Sequence, residues 1–234
     1  MTPDVQVKRL RAQLAALREI TRAISAAWSL DQILALITRK TARVMDADSC
    51  SIYLLDDANE YLVLKASTGL SPDAIGRARL RMGEGLTGYA AKQAKPIAAP
   101  HASRDPHFKY LPETHESMFQ SLLAVPLISR GKVIGAINVQ TREGRNYSPD
   151  DIELLSIIAD VAAGELEKAV LYEEIGGLKE ALETRKLVER AKGILMKRHK
   201  IDEQDAFTRI QSQARALRKS MREVAEAIIL AEQV

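Results

Sequence analysis

The 234-residue sequence contains one cysteine, Cys50. A single thiol excludes an intramolecular disulfide and any cysteine-rich zinc or iron–sulfur centre, and an unpaired one fits a reducing compartment, so a cytoplasmic protein is expected. Aromatic residues make up only 4% of the chain, which is lean for a protein organised around base-stacking platforms. No stretch approaches the roughly 18 uncharged apolar residues of a membrane helix, and the apolar run 121–128 is short and holds Pro126. The first residues carry Lys8, Arg9, Arg11, Arg18 and Arg22 but lack the apolar block and small-residue cleavage site of a signal peptide, so they are expected to stay attached. A Walker loop, a His-Glu-x-x-His motif and a Ser-His-Asp spacing are also missing, and 83–88 does not match the dinucleotide fingerprint; no enzyme is expected. With 46% hydrophobic and 28% charged residues the composition is globular. At roughly 150 residues per domain the length allows one or two domains.

The net charge of +3 is unevenly distributed. Between Arg185 and Arg222 twelve basic residues face four acidic ones, a net of +8, which leaves −5 for the rest of the chain. Such asymmetry points to a polyanionic partner more strongly than the total does, although a charge run is often only a solvated helix face.

Hydrophobic spacing divides the chain. Val7, Leu10, Leu14, Leu17, Thr21, Ile24 and Trp28 alternate steps of three and four, as in a coiled-coil helix; 31–45 is again helical. Two short segments rich in β-formers, 49–55 and 61–67, flank a polar turn and read as a hairpin. Gly83-Glu84-Gly85-Leu86-Thr87-Gly88 precedes a helical 89–93, and 100–116 is an irregular stretch holding His101, His107 and His115. Segments 121–129 and 133–140, joined by Arg130-Gly131-Lys132, complete an antiparallel sheet flanked by helices, an α+β fold.

A further helix opens with Ser148 as N-cap and Pro149 in the first turn. Leu154, Ile157, Val161, Leu171, Ile175, Leu178 and Leu182 continue the heptad alternation, interrupted by Gly164 and Lys168, and predict a long coiled-coil linker helix that pairs two copies. Gly176-Gly177 inside it predicts a hinge before the next domain. Three helices follow, 178–198, 202–217 and 220–231, with Asp202 and Ser220 as caps. Their apolar faces, Leu187, Ala191, Ile194 and Leu195; Phe207, Ile210, Ala214 and Leu217; Val224, Ala225 and Ile228, predict a compact bundle.

Gly83 to Gly88, Asp105-Pro106-His107-Phe108, the strands around Pro126 and Gly135 and the Tyr-Ser-Pro-Asp-Asp helix opening occur in an order that resembles a GAF domain over 18–172. Arg185, Val188, Ala191-Lys192-Gly193-Ile194-Leu195-Met196, Ala206-Phe207, Ala214 and Val224-Ala225 resemble an ANTAR domain over 178–231. Segment 1–17 then remains as an N-terminal coiled-coil-like helix, and 165–185 as the linker overlapping both domains. The pairing implies a bacterial transcription antiterminator of the GAF-ANTAR family, a homodimer whose helical bundles hold paired hairpins of a leader RNA and so block terminator formation. The resemblance implies Arg185, Ala191, Lys192, Gly193 and Met196 as RNA-binding candidates, and the basic surface around them adds Arg190, Lys197, Arg198, Arg215, Arg218 and Lys219. The residues agree on one point. A glycine at mid-helix costs roughly 1 kcal/mol, so Gly193 suggests close approach of something to the backbone, whether RNA or a packed third helix. Phe207 is the bundle's only aromatic and is assigned to its core, so bases would be met by arginine planes.

The GAF resemblance leaves the signal open, since that fold accepts varied small-molecule ligands or none. The Asn-Lys-Phe-Asp-Glu signature of cyclic-nucleotide-binding relatives is not visible, Cys50 reads as a buried strand residue and not a bilin attachment point, and no required cofactor is evident. His101, His107 and His115 are conceivable metal or haem ligands, but loop histidines are more often polar surface. The cysteine-dependent methionine-sulfoxide reductases of similar fold need several cysteines. The alternative to RNA binding is a dimeric GAF sensor whose helical bundle binds an acidic protein partner.

Overall fold

The computed structural model describes residues 29–232, which divide at Val170/Leu171 into two compact units. The expected helix spanning Val7 to Trp28 lies outside the described residues.

The first unit begins with helix α1 (Leu30–Val44), whose start is capped reciprocally by Ser29 and Gln32. Strands β1 (Ser49–Leu55), β2 (Tyr61–Ser67), β3 (Arg79–Arg81), β4 (Ile97–Ala99), β5 (Ser121–Ser129) and β6 (Lys132–Thr141) form one antiparallel sheet in the order β3-β2-β1-β6-β5-β4. Arg130 and Gly131 both take positive φ in the tight β5–β6 turn. Side chains alternate across the sheet. Ile52, Leu54, Leu123, Val125, Ile137 and Val139 pack on one face against Leu34 and Ile37 of α1 and against Leu155, Ile158, Ala162 and Leu166. These last four belong to α3 (Pro149–His199), whose start is fixed by Ser148 and Asp151 exchanging hydrogen bonds of 3.0 and 3.2 Å. The other face carries Tyr53, Leu62, Leu64 and Phe119, with Leu122 and Ala124 under helix α2 (Gly85–Gln93). That helix starts four residues earlier than the sequence pattern suggests. Gly85 enters it at φ +66°, and a Cβ on Gly88 would lie 2.7 Å from the Arg81 carbonyl oxygen, so neither position accepts a side chain without strain.

In the second unit the last turns of α3 pack with α4 (Glu203–Leu217) and α5 (Met221–Glu232) around Val188, Ala191, Ile194, Ile210, Ala214, Val224, Ala225 and Ile229. Asp202 caps α4 by accepting from the Asp205 amide at 2.8 Å, and Ser220 with Glu223 caps α5. Three expectations need correction. The helix expected at 178–198 is not a separate element, because α3 runs unbroken through Gly176 and Gly177; two glycines lower helix stability without removing a backbone donor. Phe207 and Leu217, assigned to the core, are 38% and 62% exposed. Leu154 and Val161 do not belong to an outward coil seam: Leu154 is buried in the first unit's core and Val161 packs against it. A straight helix drifts by about 20° per heptad from an ideal seven-residue repeat, so one apolar stripe read over four heptads begins on the sheet and ends in solvent.

Candidate nucleic-acid interface and sensor pocket

The basic residues of the second unit separate into two kinds. Arg185, Arg190, Lys197, Arg198, Arg215, Arg218 and Lys219 are exposed and have no ion pair among the described residues. Arg218 also closes α4 in a left-handed conformation, φ +51°. Lys192 differs from the exposed set. It is buried, and its ammonium lies 2.8 Å from Glu189 Oε1 and 2.6 Å from Glu203 Oε1. The carboxylates of Glu189 and Glu203 hold its pKa above the ordinary lysine value. Lys192 therefore ties α3 to the start of α4, and its charge is matched within the unit. Glu189 was legible as its partner from the three-residue spacing on one helix; Glu203, eleven residues on and past a turn, carried no such signal.

Ala191 is fully buried in the helical core, so its methyl has no access to a ligand, and Met196 is half-buried. Gly193 bears on the packed-helix half of the choice that sequence left open. A Cβ built there meets nothing within 4 Å, so the glycine gives no clearance to a packed helix. Its backbone faces open space on the same helix as Arg190 and Lys197.

Of the expected coil residues, Ile157, Leu171, Ile175, Leu178 and Leu182 are exposed, Leu178 by 71%. Among the described residues of the second unit, Leu171, Ile175, Leu178 and Leu182 form an apolar series along α3 with no covering element of that unit.

The first unit encloses a small pocket of about 20 Å³ lined by Tyr53 of β1, Thr87 of α2, Asn138 of β6, and Phe108, Leu111 and Glu116 of the irregular stretch. That volume accommodates about one water. Gln140 Nε2 donates to Glu116 Oε2 at 3.0 Å and Asn138 Nδ2 to Thr87 Oγ1 at 2.8 Å, while Asn138 Oδ1 and Gln140 Oε1 are buried without partners. Burial raises the pKa of Glu116, and burial together with the charges of Glu116 and Glu113 raises that of Tyr53. Sequence reading missed this polar group, although Asn138 and Gln140 two apart in an apolar strand mark one polar face. Cys50 is buried, as expected, and burial pushes its thiol pKa up.

The loop histidines do not act together. His107 stacks on Tyr89 at 3.9 Å and lies 3.1 Å from Asp105, whereas the His101 ring sits against Gly144. No group of three or more histidine, cysteine, aspartate or glutamate side chains suited to a metal occurs among the described residues. No described helix is long and apolar enough to cross a membrane.

The described residues thus form an antiparallel-sheet domain with a small polar pocket, followed in the chain by a basic three-helix unit. The GAF-domain profile matches residues 27–167 and the ANTAR-domain profile residues 177–229, so the chain belongs to the GAF family and carries an ANTAR domain behind it. The phosphoenolpyruvate-dependent phosphotransferase system protein of Escherichia coli K12 is 31% identical over 158 residues, covering 68% of this chain and 21% of the relative. The transcriptional regulatory protein PdtaR of Mycobacterium tuberculosis H37Rv is 49% identical over 63 residues, 27% of this chain and 31% of the relative. The GAF domain of a phosphoenolpyruvate-protein phosphotransferase from Coxiella burnetii superposes with a TM-score of 0.64 at 30% identity, covering 70% of this chain and 98% of that one. The chain spans about a fifth to a third of the length of these curated relatives. Both of its domains are of sensory and regulatory kinds.

Proposed function

We propose that this protein is a non-catalytic, cytoplasmic transcription antiterminator that binds two hairpin loops of a leader RNA as a homodimer, under control of its GAF domain. The observation that carries the reading is the open backbone at Gly193, flanked by Arg190 and Lys197, which have no ion pair among the described residues, within a segment of net charge +8. Exposed arginines and lysines meet loop phosphates, and arginine planes meet splayed bases. Lys192 takes a supporting part, holding Glu189 and Glu203 so that the surface stays ordered. The regulatory character of the PdtaR relative over the same domain agrees with this output.

Dimerisation supplies avidity. Leu171, Ile175, Leu178 and Leu182 offer an apolar seam, and two hairpin contacts joined through it become effectively intramolecular. A small ligand of the GAF pocket would have to displace the stretch carrying Phe108 to Glu116, because the enclosed space is that of one water. Such a displacement is the input, and the spacing or exposure of the two bundles is the output.

The test is retention of RNA from a pool of two-hairpin transcripts with randomised loops, against single-hairpin RNA and duplex DNA over a salt series. Enrichment of two-hairpin RNA, with affinity falling steeply with salt, supports the reading; no preference over DNA by either the full chain or 171–234 refutes it. The exposed apolar Leu217 and Leu230 favour a second reading, a bundle that binds a protein, and that reading predicts failure of the RNA selection.

A further inference from the structure

Phe207 is the one aromatic residue of the ANTAR segment, and the structure leaves it half out of the core. It forms a wall of a groove of about 650 Å³, within the usual range of about 300–1,000 Å³ for ligand sites, together with Ala181 and Val188 of α3 and Met221 of α5. Arg185, without an ion pair among the described residues, and Glu180 also line it. Glu189, also part of the lining, is one helical turn before Gly193, so the groove adjoins the open backbone on the same helix face.

We propose that this groove is a slot for one unpaired nucleobase of the bound RNA. The inference rests on the RNA-binding reading and adds to it a place where sequence is read. The base stacks on the Phe207 ring with Met221 and Val188 closing the apolar sides, Arg185 takes the adjoining phosphate, and Glu180 accepts a hydrogen bond from a base amino group. An apolar wall beside an unpaired guanidinium matches a nucleotide, which is flat and apolar on its faces and anionic at its backbone. The surrounding +8 segment draws a polyanion to this surface. Carboxylate recognition of an amino group predicts preference for adenine, cytosine or guanine over uracil at that loop position.

The experiment uses the full chain and an RNA taken from the pool selection, with an abasic site placed at each loop position in turn. In the wild type one abasic site is expected to weaken binding by about tenfold, the loss of one base–aromatic stack. Phe207→Leu should weaken the intact RNA by a similar factor and make that same abasic site cost nothing further. Phe207→Trp should restore binding and bring an indole emission that this RNA quenches beyond any effect on wild-type fluorescence. Arg185→Gln, at an exposed position that folding does not need, should reduce the salt slope by about one phosphate contact, and it keeps the test open should Phe207→Leu lose structure by circular dichroism. Wild-type affinity in Phe207→Leu, or penalties that simply add, overturns the slot and leaves RNA binding standing. Failure of the wild type to retain any RNA overturns the RNA reading and the slot with it.

Discussion

Replacing Gly193 by alanine should move stability and RNA affinity in opposite directions. The position lies inside α3 and an added Cβ meets no atom within 4 Å, so the substitution introduces no clash in the free protein. Alanine in place of a helical glycine should therefore stabilise the second unit by about 0.8–1 kcal/mol. For a unit of this size that corresponds to a rise of roughly 4–8 °C in its thermal midpoint, read by circular dichroism. If RNA touches the backbone here, the same methyl intrudes on the complex. Overpacking of about 1–3 kcal/mol would lower affinity by roughly 5- to 150-fold in filter retention with the selected two-hairpin RNA. Gly176→Ala is the control: it lies in the same helix, its Cβ also meets nothing within 4 Å, and it should give the stabilisation without the loss of affinity. Equal RNA binding by wild type, Gly193→Ala and Gly176→Ala would refute the close-approach argument, and a lower midpoint for Gly193→Ala would refute the open geometry.

Two further outcomes follow from the exposed seam and the buried carboxyl. Ile175→Glu with Leu178→Glu places like charges on the apolar series of α3 and should convert a dimer to a monomer in sedimentation while reducing two-hairpin affinity to the single-hairpin level; a wild type that is monomeric at micromolar concentration with RNA present refutes the avidity mechanism. Burial raises the folded pKa of Glu116 above its unfolded value, so the stability of the protonated form is complete below the unfolded pKa and is lost as pH rises through the folded one. Glu116→Gln does not titrate and keeps an acceptor for Gln140, so its midpoint should gain on the wild type between pH 4 and pH 7.5; a gap constant across that range refutes the assignment.

Richness in β-formers on either side of a polar turn was enough to place β1 and β2 at their observed bounds, because both signals are local. Ser148, Asp202 and Ser220 marked helix starts for an equally local reason, a side chain satisfying a backbone donor three residues away. The order of short motifs likewise sufficed for the two families. Periodicity, however, says which residues share a face and not what covers it. Leu154 went to the sheet and Leu178 to solvent along one apparent stripe, and Phe207 became a groove wall while Ile210 on the same helix became core. Charge counting gave the segment's sum, but only packing showed that, among the described residues, Lys192 is matched by two carboxylates while Arg190 and Lys197 are not. The pocket joins Tyr53, Thr87, Glu116 and Asn138 from four separate stretches of chain, and no local rule links them. Local chemistry thus determined most strands, the capped helix starts and the families, but not where α2 begins or that α3 runs unbroken; the sheet and the bundle decided which side of each element is buried, because burial depends on neighbours distant in sequence.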